Sequence, residues 1–154
     1  MAFDPVTHYG FTAVPRDPDV LFRNHPTAGV ERDELTVNDF PLPDSTLVQS
    51  VKAFVKRELD EQTYNHSHRV YVYGVALTQT HFPQWSYDKE TYYLACLLHD
   101  IGTATKFLAS TKMSFEFKGA IVARDLILQM GGIEDQADSV CDAIIRHQDI
   151  FVKG

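Results

Sequence analysis

The run Tyr92-Tyr93-Leu94-Ala95-Cys96-Leu97-Leu98 is apolar throughout and then meets His99-Asp100-Ile101-Gly102 with no polar spacer. A stretch with no hydrophilic face has to be buried on every side, so a histidine and a carboxylate enter the interior at its end. An isolated ionised carboxylate in a dry interior is costly. Adjacent buried His and Asp are therefore either bonded to each other or bound to a metal. A helix cap in which the two side chains merely bond one another is the plainer of the two explanations.

The rest of the chain reads as helices. Asp44-Ser45 is a capping pair ahead of a helix with Leu47, Val48, Val51, Phe54, Val55 and Leu59 on one face. A second helix starts near Asn65, and the stripe His66, Val70, Tyr73, Leu77 points His66 inward. His68 falls on another face and His81 at the helix end, which places both at the surface or in a cap. A third helix spans roughly Tyr87 to Asp100, with Asp88 and Glu90 at its positive end, and Tyr92, Ala95 and His99 share its inward face. Gly102 and Thr103 break it, and a short polar segment runs on to Lys112. The fourth helix runs from Ser114 to Met130, where Gly131-Gly132 stops it; Gly119, Ala120 and Ala123 make a small-residue strip for close approach. The last helix, Ile133 to about Ile150, carries Val140, Ile144 and His147 on one face. No strand-period run is long enough to build a sheet, and no repeat, Gly-rich phosphate loop or Gly-x-Ser-x-Gly elbow occurs. An all-α domain is expected.

Six of the seven prolines (Pro5, Pro15, Pro18, Pro26, Pro41, Pro43) precede Asp44. Proline at that density removes donors and restricts its neighbours, which predicts an irregular arm over residues 1–44. Tyr9, Phe11, Leu21, Phe22 and Phe40 favour docking on the remaining domain, residues 45–154; a disordered tail is the alternative. With 154 residues, 44% hydrophobic, the chain can bury one core without disulfides. Cys96 and Cys141 sit at apolar helical positions and read as buried small hydrophobes of a reducing compartment. No apolar run approaches the ~20 residues of a membrane span, and the N-terminus has no signal-peptide pattern, so a cytoplasmic location is expected. A net charge of −7 without a basic block argues against nucleic acid and for a small neutral or cationic substrate.

Three inward histidines and an adjacent Asp on three helices are more specific than any one of them. Imidazole and carboxylate donors from separate helices suit zinc or iron. In order and spacing, Asn65-His66-Ser67-His68-Arg69-Val70, Leu97-Leu98-His99-Asp100-Ile101-Gly102, Met113-Ser114-Phe115-Glu116-Phe117-Lys118-Gly119-Ala120 and Ala143-Ile144-Ile145-Arg146-His147-Gln148-Asp149 resemble the HD-domain superfamily of metal-dependent enzymes. With Tyr9-Gly10-Phe11 they are most similar to its cyanamide hydratases. The resemblance implies an HD-domain helical bundle, a zinc ion (Fe2+ or Mn2+ second) held by His66, His99 and Asp100, and hydration of cyanamide to urea. It places the Glu116 and His147 segments along the substrate pocket. HD domains usually add a final aspartate from a later helix. No such segment follows His147 here, so a short form lacking the C-terminal helices is expected, with water or a partner subunit in that position, weaker metal binding and possible homo-oligomer formation.

Cyanamide is small, linear and neutral, with an electrophilic nitrile carbon. Its hydration needs a nucleophile at neutral pH, which a zinc-bound water supplies, and a proton for the nitrile nitrogen. His147, Glu116 and Thr103 are the candidates for moving that proton. Two other functions fit the same ligands: an HD phosphohydrolase acting on a nucleoside monophosphate through Arg69, Lys106, Lys112, Lys118 and Arg146, or an inactive HD binding module.

Overall fold

The structure, a computed structural model, describes residues 3–10, 14–15, 17–23 and 35–148. Among the described residues the chain forms α1 (Pro5–Tyr9), α2 (Pro18–Phe22), α3 (Thr46–Glu58), α4 (Glu61–His81), α5 (Lys89–Leu98), α6 (Thr105–Leu108), α7 (Phe115–Gln129) and α8 (Glu134–Arg146), with 3-10 turns at Val37–Asp39 and Ile101–Thr103 and no strand. The all-α class is as expected. None of these helices is long and apolar enough to cross a membrane.

Helix α5 is the axis, packed against α3, α4, α7 and α8. Its start is fixed by Asp88, whose Oδ1 accepts the Thr91 N–H at 2.7 Å and the Thr91 hydroxyl at 2.6 Å. Beyond that cap, Tyr93, Leu94, Leu97 and Leu98 have no exposed surface. Each stabilises the fold by roughly 1.5–3 kcal/mol through burial. Helix α3 begins where Ser45 Oγ accepts the Val48 N–H at 3.1 Å, and it buries Val48, Val51 and Val55 against this axis.

Helix α4 departs from expectation at both its start and its face. Asp60, not a residue near Asn65, caps it, accepting the Thr63 N–H at 2.9 Å. Its buried residues are Ser67, Tyr71 and Val75, while Tyr73 and Leu77 are 64% and 51% exposed. Two apolar stripes coexist on this helix, and periodicity alone does not say which one faces the core. The stripe containing His66 is the outer one.

The arm also differs from expectation. Pro5 and Pro18 each open a five-residue helix, because proline in the first turn forfeits no helical hydrogen bond and already has the required φ. Helix α1 lies on α8, where the Ser139 hydroxyl donates to the Tyr9 carbonyl, and His8 Nε2 is 3.5 Å from Asp88 Oδ2. Phe22 of α2 meets Phe82, which stacks on Trp85 with centroids 4.2 Å apart and planes at 16°. Phe40 is buried; Phe11 lies outside the described residues.

Helices α7 and α8 form a hairpin. The Gly131 N–H donates to the Leu128 carbonyl and the Gly132 N–H to the Ile127 carbonyl, with Gly131 at φ +88°, the left-handed helix ending that glycine favours. Residues 149 and 150, included in the last helix from sequence, lie outside the described residues, and α6 occupies part of the segment read as merely polar. The small strip of α7 meets the turn after α5. A Cβ on Gly102 would lie 1.9 Å from the Phe115 carbonyl oxygen, and one on Gly119 would lie 3.0 Å from the Gly102 nitrogen. Backbone rests on backbone here, which fixes the position of the His99-Asp100 pair relative to α7.

Two ion pairs sharing Glu58 brace this corner. Lys106 Nζ of α6 is 2.7 Å from Glu58 Oε2, and Arg57 Nη2 is 2.9 Å from Glu58 Oε1. The Lys106 hydrogen bond, with Arg57 in support, holds the Glu58 carboxyl below its ordinary value. A carboxyl depressed in the folded state contributes stability that is present above the unfolded-state pKa and lost as pH falls through the folded one. Acid titration of the folded protein is therefore expected to lose up to about 1 kcal/mol from this site, Lys106 being half exposed. Urea melts of Glu58→Gln at neutral pH and in mild acid check this: the variant should lack that part of the pH dependence.

Candidate metal centre

His99 caps the C-terminus of α5, and its Nδ1 lies 2.8 Å from the Cys96 carbonyl oxygen three residues back. A carbonyl oxygen can only accept, so Nδ1 carries the hydrogen in this contact. Carbonyls in the last turn have no partner within the helix, and this one orients the ring. Nε2 then faces Asp100 Oδ2 at 3.1 Å and His66 Nε2 at 3.2 Å, and His66 Nε2 is 3.8 Å from the same carboxylate oxygen. The donor atoms of His66, His99 and Asp100 all lie within 4.8 Å of one another, a group able to hold a metal ion.

Each imidazole reaches the cluster differently. His99 is 13% exposed and Asp100 19%, whereas His66, at the edge of α4, is 47% exposed rather than turned into the core. The helix cap and the mutual His99–Asp100 bond are both present. What they leave unexplained is a second imidazole nitrogen at hydrogen-bond distance from the first, two basic atoms that need a shared proton or cation between them.

Electrostatics favour the charged pair. Burial opposes protonation of His99, but the hydrogen bond and charge of Asp100, with the Cys96 carbonyl, outweigh it and raise the imidazole pKa. Burial likewise pushes Asp100 up, and His99, followed by the charges of His66 and His147, brings its carboxyl below the ordinary value. A net-attractive carboxylate among three imidazoles is also suited to a cation.

His147 repeats the His99 arrangement at the end of α8: it is the C-cap, and its Nδ1 contacts the Ile144 carbonyl three residues back at 2.5 Å. Its Nε2 lies 3.9 Å from Asp100 Oδ1, is buried, and has no hydrogen-bond partner among the described residues. The Phe115 ring packs edge-on against it, with centroids 5.7 Å apart. An unpartnered buried nitrogen facing the carboxylate fits a centre whose ligands include more than protein groups.

The other two candidates are placed less directly. The Thr103 hydroxyl donates to the Asp100 backbone carbonyl at 2.7 Å and braces the 3-10 turn. Glu116 is half-buried in the first turn of α7, without a hydrogen bond or ion pair among the described residues. His68, expected at the surface, is half-buried: its Nδ1 is 3.0 Å from the Tyr93 hydroxyl, and burial, then the charge of Lys52, lowers its pKa. It belongs to the inner stripe of α4 and is not a member of the metal group. The backbone acceptors that orient His99 and His147 had not been singled out from the sequence. The available signal was that each histidine directly follows the last residue of a helix, in line with its buried face, where carbonyls are left over.

The HD-domain family model matches residues 63–153. Two curated proteins of Saccharomyces cerevisiae, the cyanamide hydratases DDI2 and DDI3, are each 41% identical to the chain over 150 residues, covering 97% of it. The chain spans 64% of the length of each of these relatives. With the histidine and the His-Asp pair of the family's name gathered at one end of α5, and the family match running from α4 through α8, the chain belongs to the HD-domain family.

Proposed function

We propose that the protein is a metal-dependent hydratase that converts cyanamide to urea, with His66, His99 and Asp100 as protein ligands of a divalent cation, zinc ahead of Fe2+ or Mn2+. The observation that carries the proposal is the convergence of these donors, with the His99 Nδ1 hydrogen directed to the Cys96 carbonyl so that Nε2 is left to bind. Similarity to the yeast cyanamide hydratases supports the substrate. When bound, the cation supplies Lewis acidity toward a nitrile and makes water nucleophilic at neutral pH.

The chain's own residues orient and relay. Hydration is a net transfer: one proton of the attacking water passes to the nitrile nitrogen to give an isourea, and the remaining O–H proton follows it to nitrogen on tautomerisation to urea. Glu116, half-buried without a partner and next to the Phe115 that packs on His147, is assigned to that relay. Thr103, its hydroxyl hydrogen directed to the Asp100 carbonyl, holds the turn rather than moving protons. A phosphohydrolase is less well supported: among its candidate cations, Lys106 is paired with Glu58 at 2.7 Å and Arg146 with Asp142 at 2.9 Å.

Elemental analysis of the purified chain combined with urea release from cyanamide tests the proposal. One divalent metal per chain and urea formation that stops on chelation and returns with zinc are expected. Phosphate release from nucleoside monophosphates without urea formation would replace it with the phosphohydrolase, and bound metal without turnover would replace it with a binding module.

A further inference from the structure

We infer that Tyr92 and Gly74 pin the register of α4 on α5: the Tyr92 phenol, seated in a notch that only glycine leaves open, holds α4 where His66 meets His99 and Asp100. Both are positioning residues, since they act through His66 and touch no reacting atom. The inference rests on the reading of His66 as a metal ligand given above.

Of the three donors, His66 is the one that α5 and the turn after it do not carry. His99 is the C-cap of α5 and Asp100 follows it, the two side chains bonded to each other and the His99 ring held by the Cys96 carbonyl. His66 arrives from α4, is 47% exposed and, among the described residues, has no hydrogen-bond partner outside the cluster. Its place is therefore decided by how α4 sits on α5. The bonds of a cation to its ligands vary by only about 0.2 Å, whereas a slip of one residue along a helix moves a side chain by about 1.5 Å.

Two adjacent tyrosines of α5 set that placement. Gly74 stands well inside the 21-residue α4, where glycine is the least favourable residue after proline. A Cβ there would lie 1.7 Å from the Tyr92 hydroxyl oxygen and 2.7 Å from its Cζ, so the glycine makes room for a phenol. The hydroxyl donates to the Val70 carbonyl at 3.4 Å. The ring is flanked by those of Tyr71 and Tyr87, with centroids 5.6 and 5.5 Å away. Tyr87 is itself tied to the Thr78 hydroxyl at 2.8 Å, one turn beyond Gly74, so the phenol cannot simply swing aside. Tyr93 takes the inner side of α4, its hydroxyl 3.0 Å from His68 Nδ1.

His66, Val70 and Gly74 follow one another at four-residue steps along α4, and Tyr92 and His99 stand two turns apart on α5. The helices thus meet at two rungs, Gly74 against Tyr92 and His66 against His99. The rungs are separated by roughly 12 Å along one helix and roughly 10.5 Å along the other. Fixing the first rung fixes the second.

The test measures cobalt(II) affinity and the visible absorption of the bound ion in the full chain, in Gly74→Ala, in His66→Ala and in the double variant. Gly74→Ala is expected to lower the affinity about 10- to 100-fold, the loss typical of removing a group that orients a ligand, and to change the spectrum of the bound ion. In the His66→Ala background the same substitution should change affinity by less than about threefold, because the ligand it misplaces is already gone. Adding Tyr92→Phe to Gly74→Ala should return part of the loss, since the nearest ring atom then lies at 2.7 Å rather than 1.7 Å. Should Gly74→Ala not fold, Tyr92→Leu, which empties the notch, carries the same comparison. An equal loss in both backgrounds would overturn the inference in favour of a general loosening of the site, and wild-type affinity and spectrum in Gly74→Ala would overturn it outright. Wild-type affinity in His66→Ala is a different result: it would remove His66 from the ligands, and the inference with it.

Discussion

Replacing His99 with alanine is expected to lower metal affinity by at least about a hundredfold and to remove urea formation, while the helical fold persists. The expectation rests on position. His99 Nε2 is the nearest imidazole nitrogen to Asp100, at 3.1 Å, and the one His66 Nε2 approaches to 3.2 Å, so without it His66 and Asp100 face each other across 3.8 Å with nothing between them. Loss even of an outer hydrogen-bond partner of a ligand costs about 10–100-fold in affinity, and loss of a ligand costs more. Metal content after dialysis and helical circular dichroism on one sample separate the two effects. His68→Ala is the counterpart: it should keep the metal but lose about 1–3 kcal/mol of stability, because the buried Tyr93 hydroxyl loses its partner at 3.0 Å. If His68→Ala lost the metal and His99→Ala kept it, the assignment of ligands would be wrong.

The second large effect is expected from the smallest substitution. Gly102→Ala would place a methyl group 1.9 Å from the Phe115 carbonyl oxygen and 2.8 Å from its carbon, both backbone atoms that no rotamer change can move. Helix α7 must then separate from the turn that carries Asp100 and Thr103. Overpacking of this kind costs about 1–3 kcal/mol and can exceed that range, a large share of the ~5–15 kcal/mol a domain has. We expect a loss of 3 kcal/mol or more, a marked fall in denaturation midpoint, and weakened metal retention because the turn carries a ligand. Gly119→Ala, whose added carbon would sit 3.0 Å from the Gly102 nitrogen, asks for a shift of only a few tenths of an ångström and should cost clearly less. Equal midpoints for the two variants would show that the turn and α7 are free to separate.

These two glycines and the histidines show which features could be read from sequence. The cap at Ser45 was legible because capping is local chemistry, whereas Asp88, read only as a favourable charge at the positive end of its helix, is the cap itself. The inward course of His99 was legible because the run before it has no outward face. The face of α4 was not, because Tyr73 and Leu77 are as apolar as the Tyr71 and Val75 that actually enter the core. His66 was thus selected on a stripe that proved external, yet it reaches the cluster from the helix edge, since a 3.2 Å approach to His99 does not require burial. His68 was misplaced for the same reason. The short helices opened by Pro5 and Pro18 were missed because proline was weighed only as a breaker, although in a first turn it serves as an initiator. The Gly102–Gly119 contact could be anticipated only in part. A strip of small residues announces close approach, but its partner, a turn rather than a helix, is decided by the tertiary path.

Trp85 is the sole tryptophan of the chain, and it lies face to face with Phe82, whose ring also meets Phe22 of α2. The protein thereby carries a single tryptophan fluorophore where α2 meets the residues that follow α4, beyond the end of the helix opposite to the one that supplies His66. Its emission reports on the Phe82 stack and, through Phe22, on the seating of α2. Docking of that helix can in this way be followed optically without a label, while the chemistry around His99 is followed separately by metal content and product.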